Sequence, residues 1–571
     1  MWPGRARYGG TPYEPAVARV RPRIAESEMA TTEVYDYIVV GAGSAGCVLA
    51  TRLTEKQDTR VLLLEAGGIN RHRLMKMPLG FFPMMRDPIV NWGYQTEPEP
   101  ALDGRILFLP RGKLLGGSSS INGMLYGRGH PEDYKTWARL GCDGWSWTEV
   151  LPYFRRSQSH WRGDSPYHGG SGPLPVSQHH PDPTLFATIM ETARKRGRFI
   201  ATDLDGTEYE GFGKPDFTIY KGRRGSTAER YLKPVLHRPN LILELRARVT
   251  RVLLQSHRAV GVEVIQDGKL KQIRADCEVL LCGGAYNSPQ LLMLSGIGPA
   301  EELSSFGIQV VQDLPGVGKN LQEHVSVGAS YIPRRRIALI RQMRADRMIL
   351  SVIQWKLFGT GVVSNLPLAS IAFYRSRSEL AFPDIEFMVN ATGMDARVWF
   401  PGVRKPLGNA LYCSNIVLHP ESRGWVKLRS VTPLDNPRIQ LNILSKTEDR
   451  KLLIKAIREM REFFHTKPMA DFVVGEKSPG EKVQADSQLE SYMRANAAIA
   501  HHPTSTCAMG TGRDAVLDSR LRVKGVERLR VIDASAMPRI VGGHTNAVTI
   551  MMAEKGADMV LGRSPLVATP P

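Results

Sequence analysis

Hydrophobic and polar positions change period several times along the chain, and the first change is the sharpest. Residues 35–40 form an apolar strand run that breaks at Gly41-Ala-Gly43-Ser44-Ala-Gly46, after which Val48, Leu49 and Leu53 recur at helical spacing. Val61-Leu-Leu-Leu-Glu65 then reads as a second buried strand ending in an acid. Strand, glycine turn, helix and strand in this order predict the start of a dinucleotide-binding unit. Gly41 permits a tight turn, Gly43 lets backbone approach a pyrophosphate, and Gly46 lets helix pack on strand, with the helix N-terminus facing phosphate. Glu65, 19 residues after Gly46, is placed for the ribose hydroxyls of an adenosine.

Further on, Gly112, Gly116, Gly117, three serines ending at Ser120, Asn122 and Gly123 form a polar loop behind an apolar strand-like run. Such a loop crowds N–H groups and hydroxyls, suited to a phosphate or a polar ring edge. Residues 155–223 lack a clear period and read as a surface insertion. Ser226 and Glu229 have capping-box spacing, predicting a short helix before Pro234. Runs 241–245, 249–254 and 261–265 read as a meander of short strands. Residues 279–282 read as a buried strand leading to a second glycine turn, with Ser288 as helix cap, Pro289 as first helical residue, and Ser295-Gly296 closing that helix. Residues 330–500 mix both periods and read as mostly a second domain. Within it, 451–464 is a helix with Leu453, Ile454, Ile457, Met460 and Phe464 on one face. The basic stretch 333–356 reads as a solvated helix face in preference to a membrane-surface helix.

Length and charge narrow the class. A chain of 571 residues with 42% hydrophobic content suits a globular protein of a few domains. The 75 basic against 56 acidic residues give a net charge of +19, but they are spread along the chain without finger or RNA-module spacing, which argues against nucleic acid. Six cysteines without a CxxC pattern predict free thiols in a reducing compartment and no metal site. No apolar stretch is long enough to span a bilayer, so the expectation is a cytoplasmic protein with at most peripheral membrane contact. Residues 1–33 are expected to be a disordered extension with Met29 as the start; an organellar targeting segment in 1–28 is the competing reading.

Near the C-terminus two loops carry candidate chemistry. His501-His502-Pro503 precedes a strand ending at Asp533, where an open α/β sheet meets its ligand. Gly542-Gly543-His544-Thr545-Asn546 then leads into a helix over 547–561, with Asn546 as N-cap and its start suited to an anion. His502 and His544, flanked by Pro or Gly, are candidates for moving a proton near neutral pH. His501 reads as a satisfied surface or core residue.

Four features together resemble the glucose–methanol–choline flavin oxidoreductases: the first glycine turn with Glu65; 112–122; Gly284-Ala-Tyr-Asn-Ser288-Pro289 through Gly298; and His502-Pro503 with His544. The resemblance covers 34–563 and is nearest to the choline-dehydrogenase-like alcohol dehydrogenases, through Asn91-Trp92, residues 502–510 and residues 546–555. It implies a mixed α/β fold, with a Rossmann-like FAD-binding domain (34–154, 224–329, 501–563) interleaved with a substrate domain (155–223, 330–500) built on an antiparallel sheet with helices, and a tail at 564–571. It implies that Gly41, Gly43, Ser44 and Gly46 hold the FAD pyrophosphate and Glu65 and Ala66 the adenosine ribose. Trp92, Gly116, Ser120, Asn122, Gly123 and Met124 would line the flavin, Val249 the adenine, and Asp533, Ala534 and Asn546 the pyrophosphate, ribityl chain and ring. Residues 118–122 contain no histidine, so the FAD is expected to be non-covalent.

The implied activity is oxidation of a primary alcohol to an aldehyde, with His502 as base, His544 as its partner, and electrons passed to a quinone or other carrier. An oxidase using O2, or a non-redox lyase or photodecarboxylase, are the alternatives; Leu418 stands where the decarboxylases' cysteine would be sought. A choline cage needs aromatic faces and a carboxylate, for which Trp355, Trp399 and Glu386 are candidates, although each tryptophan reads as a core aromatic in preference to a cage wall. The chain is expected to be a monomer or homodimer.

Overall fold

In a computed structural model of the chain, which describes residues 34–69 and 72–569, strands Val34–Val40 and Val61–Glu65 pair in parallel, as unbroken apolar runs buried on both faces should. The expected extension over 1–33 lies outside the described residues. Leu241–Leu245 adds in parallel to Val61–Glu65, so it is a member of this parallel layer and not of a meander. Ala247–Gln255 and Arg258–Gln266 do form an antiparallel hairpin. The long strand Lys269–Leu281 links both parts: its first half continues the hairpin, and its second half pairs in parallel with Val34–Val40 and Leu529–Val531. Four strand ends therefore converge, at Gly41, Glu65, Gly283 and Asp533.

Helix Ser44–Leu53 follows the first turn, and a Cβ on Gly46 would sit 1.9 Å from the Gly41 carbonyl oxygen, so only glycine allows this approach. The second glycine turn departs from expectation. Its helix, Gly284–Leu294, begins a turn early and contains Pro289, which leaves the Ala285 carbonyl without its helical donor. The Thr506 hydroxyl donates to that carbonyl at 2.7 Å, which is why the proline is tolerated. Ser288 is accordingly inside the helix, and its hydroxyl donates to Asp533.

Helix Thr545–Val560 packs against Ser44–Leu53 and closes the chain's two ends on each other. Glu554, fully buried, anchors this contact: it pairs with Arg52 at 2.8 Å and Arg156 at 2.9 Å and accepts from the Tyr231 hydroxyl at 2.9 Å. His544, not the expected Asn546, occupies the N-cap position of the helix, and Asn546 lies in its first turn, two places beyond that cap.

A second sheet, antiparallel throughout, runs in the order Val473–Ser478, Val325–Pro333, Leu411–Val417, Ile385–Asn390, Leu368–Tyr374, Gly211–Gly213. Helix Thr447–His465 covers it, burying the apolar face read from the sequence, with Phe464 stacked on Tyr331. The segment expected to be irregular contributes more than a surface loop. It holds helix Pro183–Lys195, capped by Asp182, whose Leu185, Ile189, Met190 and Ala193 enter the core of this second unit. Helix Ala345–Phe358 also differs from the solvated polar face expected: Ile349, Leu350, Leu357 and Phe358 are 61%, 65%, 69% and 73% exposed. No helix among the described residues is long and apolar enough to cross a membrane. All six cysteines are free thiols, five of them buried.

Candidate active site

A single cavity of about 1650 Å³ runs from the converging strand ends to the second sheet. Drug-sized ligands occupy roughly 300–1,000 Å³, so there is room for a dinucleotide and a second molecule. At the strand-end side the walls are Gly41, Gly43, Ser44, Glu65, Ala66 and Val249. Asp533, Ala534 and Asn546 join them from the C-terminal segment, and Trp92, Asn122, Gly123 and Met124 from the loop region. Gly46, Gly116 and Ser120 lie behind this wall: Gly46 is spent on helix packing, and the Ser120 hydroxyl donates to the Leu115 carbonyl at 2.7 Å. Ser118 faces the cavity in their place.

The strand-end half fits the FAD that the sequence implied. Helices Ser44–Leu53 and Thr545–Val560 both begin at this cavity, and neither N-cap residue supplies a side-chain cap. Their first-turn N–H groups are thus left for an anion. The helix starts are tied together by Ser44, whose hydroxyl donates to Asn546 Oδ1 at 2.7 Å. A Cβ on Gly43 would meet nothing nearer than the Cys282 carbonyl oxygen at 4.0 Å, so the approach to this turn is bare. Glu65 accepts from the backbone N–H of Ala42 and Gly67 at 2.9 and 2.8 Å, and burial pushes it up to about 7. Asp533 is fully used within the protein. It accepts from Gly284 and Ser535 backbone and from the Ser288 and Ser535 hydroxyls, which brace both strand-end loops, while its burial raises its pKa.

The loop carrying Asn122 is braced by Arg224, buried among carbonyls. It donates to Met75, Ser119 and Asn122 oxygens, including Asn122 Oδ1 at 2.7 Å. That leaves the Asn122 amide nitrogen toward the cavity. Met124 holds a left-handed backbone at φ 59°, fixed in part by its N–H donating to Asn122 Oδ1. Trp92 stacks on Tyr94, with Lys113 and Arg248 over its face.

At the junction of the two halves stand His502 and His544, their ring centroids 5.1 Å apart and nearly perpendicular. Two residues that sequence reading missed organise them. His324, from the chain just before strand Val325–Pro333, approaches His502 with Nδ1 to Nδ1 at 2.9 Å, and its Nε2 lies 2.9 Å from the Leu418 carbonyl. A carbonyl only accepts, so the His324 proton sits on Nε2 and its Nδ1 is the acceptor. His502 must then carry its proton on Nδ1, which leaves Nε2 as a free lone pair. Burial and the neighbouring imidazoles hold His502 well below its usual range, so it is neutral; burial takes His324 down to about 3. Glu323 accepts from the His502 backbone N–H at 2.6 Å. His501 lines the cavity beside them, also neutral, with its carbonyl accepting from Arg111 at 2.7 Å.

His544 is held by Glu386, fully buried, at 3.2 Å from Nε2. Glu386 was thus in view as a ligand for a cation, but it lies behind His544 and does not line the cavity. Trp355 and Trp399 do not line it either: their indole N–H groups donate to the Gly222 and Ile340 carbonyls. None of the three candidates therefore forms a choline cage, and Trp355 is a buried core aromatic, the reading preferred from the sequence. No local signal marked His324, since its partners lie 94 and 178 residues away in the chain.

Fold and site together define a class: a two-part flavoenzyme in which paired imidazoles face the junction of a dinucleotide cradle and a substrate chamber. The chain belongs to the GMC oxidoreductase family, whose models match residues 35–326 and 420–553. Mitochondrial choline dehydrogenase from Mus musculus is 44% identical over 542 residues, covering 93% of this chain and 90% of the mouse protein. The oxygen-dependent choline dehydrogenase of Photobacterium profundum is 39% identical over 544 residues, covering 93% and 94%. Among solved structures, pyridoxine 4-oxidase from Mesorbium loti superposes with a TM-score of 0.84 at 30% identity, covering 93% of this chain and 100% of that one. The protein is an FAD-dependent alcohol-oxidising enzyme that passes its electrons to an acceptor.

Proposed function

We propose that His502 takes the hydroxyl proton of a primary alcohol through Nε2 while His544 holds the oxygen, and that the product is an aldehyde. The observation that carries this reading is the His324 contact, which puts the His502 proton on Nδ1 and the lone pair on Nε2. Bound FAD supplies the acceptor for the hydride leaving the alcohol carbon. Once His502 has taken the proton, its Nε2–H donates to the developing alkoxide, while the His544 Nε2–H is held by Glu386; burial keeps water from competing with this contact. Gly41, Gly43, Ser44, Glu65, Ala66 and Val249 would hold the adenosine and pyrophosphate, and Trp92, Asn122, Gly123, Met124, Ala534 and Asn546 the ribityl chain and ring. We read the cofactor as non-covalent, because 118–122 offers no histidine; acid precipitation should release all of the flavin.

The two sheets support the segment division 34–154, 224–329 and 501–563 for cofactor, with 155–223 and 330–500 for substrate, except at 329, where strand Val325–Pro333 of the second sheet crosses the boundary. Any membrane contact is read as peripheral, at the exposed apolar residues of helix Ala345–Phe358. The test of the central assignment is His502→Ala. It should retain FAD while anaerobic flavin reduction by substrate slows by roughly 10²-fold or more, the size of a lost general base. Near-normal reduction would remove His502 from the role. Admitting air to the reduced enzyme then reads the acceptor: prompt reoxidation marks an oxidase, slow reoxidation a dehydrogenase for a quinone or carrier.

A further inference from the structure

The walls of the substrate chamber have a chemical bias. Of the described residues lining the cavity, only Glu65 and Asp533 are acids, and both stand at strand ends of the dinucleotide half. Neither is free to meet a second ligand's cation: Glu65 accepts from two backbone N–H groups, and Asp533 accepts four hydrogen bonds. Four arginines line the same cavity, Arg86, Arg111, Arg248 and Arg397, and none is in an ion pair among the described residues. Arg86 and Arg397 are exposed at its rim. The walls contributed by the second sheet and helix Ala345–Phe358 are mainly apolar, with Leu368, Met388, Ile416, Met348 and Val352 among them. Methionine side chains adapt to irregular apolar shapes without offering a charge. Polar side chains at this end are neutral: Ser326, Asn390 and Ser414.

A fixed positive charge on a substrate needs an opposing carboxylate when it leaves water, because desolvation is otherwise uncompensated. This chamber offers it only neutral polar groups, with Arg111 on the His501 carbonyl and Arg86 and Arg397 at the rim. We infer that the substrate is an uncharged alcohol with a large apolar body, and that a quaternary ammonium alcohol such as choline is a poor one. The inference rests on the proposed alcohol oxidation at His502 and His544. It departs from what the relatives' names state of them. The physical basis is lining charge: the only acids among the described lining residues are committed to the protein's own backbone and hydroxyls, and the two buried acids near the imidazoles, Glu386 and Glu323, are held against His544 and the His502 backbone and do not line the cavity.

The experiment uses the purified FAD-loaded enzyme and two arms. In the binding arm, octanamide and tetramethylammonium, neither of which can be oxidised here, are titrated by calorimetry. Octanamide should bind and tetramethylammonium should be at least 10²-fold weaker. In the turnover arm, straight-chain primary alcohols from butanol to octanol and choline are compared by anaerobic flavin reduction. The half-saturating concentration should fall by about fourfold per added methylene, the factor for burying one CH2, and choline should be the poorest of the set. Asn390→Asp, which places a carboxylate in the chamber at almost unchanged volume, should narrow the gap between the two probes from both sides.

Tighter binding of tetramethylammonium than of octanamide, binding of neither probe, or choline reducing the flavin at lower concentration than octanol would each overturn the inference. An unchanged probe ratio in folded Asn390→Asp would overturn the charge argument. Failure of the parent reading looks different: octanamide binds, yet no alcohol of either kind reduces the flavin.

Discussion

Replacing His324 isolates the contact that orients the base. In His324→Ala the His502 Nδ1–H, now held at 2.9 Å, is buried without an acceptor, a cost of about 1–3 kcal/mol. The same deficit is relieved if the proton moves to Nε2, where it occupies the lone pair that would take the substrate proton. Each 1.4 kcal/mol is tenfold in population, so the competent tautomer, and with it the rate constant of flavin reduction, should fall about 10- to 100-fold. FAD content should be unchanged, because His324 lies behind His502 and does not line the cavity. His324→Gln should recover most of the rate: its Oε1 can accept from His502 while its Nε2–H donates to the Leu418 carbonyl, reproducing both 2.9 Å contacts. Anaerobic stopped-flow reduction measures all three proteins under saturating alcohol. A His324→Ala enzyme as fast as the parent, or a His324→Gln enzyme no faster than His324→Ala, would refute the tautomer argument.

Three further outcomes follow from the same geometry. Gly46→Ala sets a Cβ 1.9 Å from a backbone oxygen and should cost the apoprotein about 1–3 kcal/mol in urea unfolding, the usual penalty of overpacking. Gly43→Ala, with nothing nearer than 4.0 Å, should leave apoprotein stability near that of the parent while weakening FAD retention during gel filtration; equal stability losses in the two variants would contradict the packing account. The pKa of His324 is depressed to about 3, so its contribution to stability is complete above the unfolded value of 6.5 and is lost as pH falls below it, when only the unfolded chain takes up the proton. The stability difference between parent and His324→Gln should therefore shift against the parent by about 1.4 kcal/mol per pH unit below 6.5, and a difference flat from pH 7 to 5 would show that His324 titrates in the folded state.

Much of this protein is written locally. Residues 35–65 carry their own strand, turn and helix signals, and the apolar face of helix Thr447–His465 follows from 3.6-residue spacing alone. Both halves of the cofactor cradle and both imidazoles of the site could be named from glycine, proline and capping chemistry. Other elements were misread because their local pattern fits two partners equally well. Leu241–Leu245 has the same apolar signature whether it joins a hairpin or adds to Val61–Glu65, and only pairing across the chain decides. Pro289 looks like a helix start until Thr506, 217 places on, supplies the missing donor to Ala285. Helix Pro183–Lys195 did carry a local signal, the Asp182-Pro183 cap and spaced Leu185, Ile189 and Ala193, within a stretch whose glycines and prolines hid it.

The sequence by itself determined the dinucleotide cradle, the family likeness and the two histidines, because strand period, tight turns and helix starts are short-range consequences of side-chain size and backbone freedom. Tertiary structure alone decided which nitrogen of His502 carries its proton, where Glu386 points, and which charges face the substrate. Those depend on groups brought within hydrogen-bond reach from distant parts of the chain, and a hydrogen bond or a desolvated charge is set by distance in space, which local pattern does not encode.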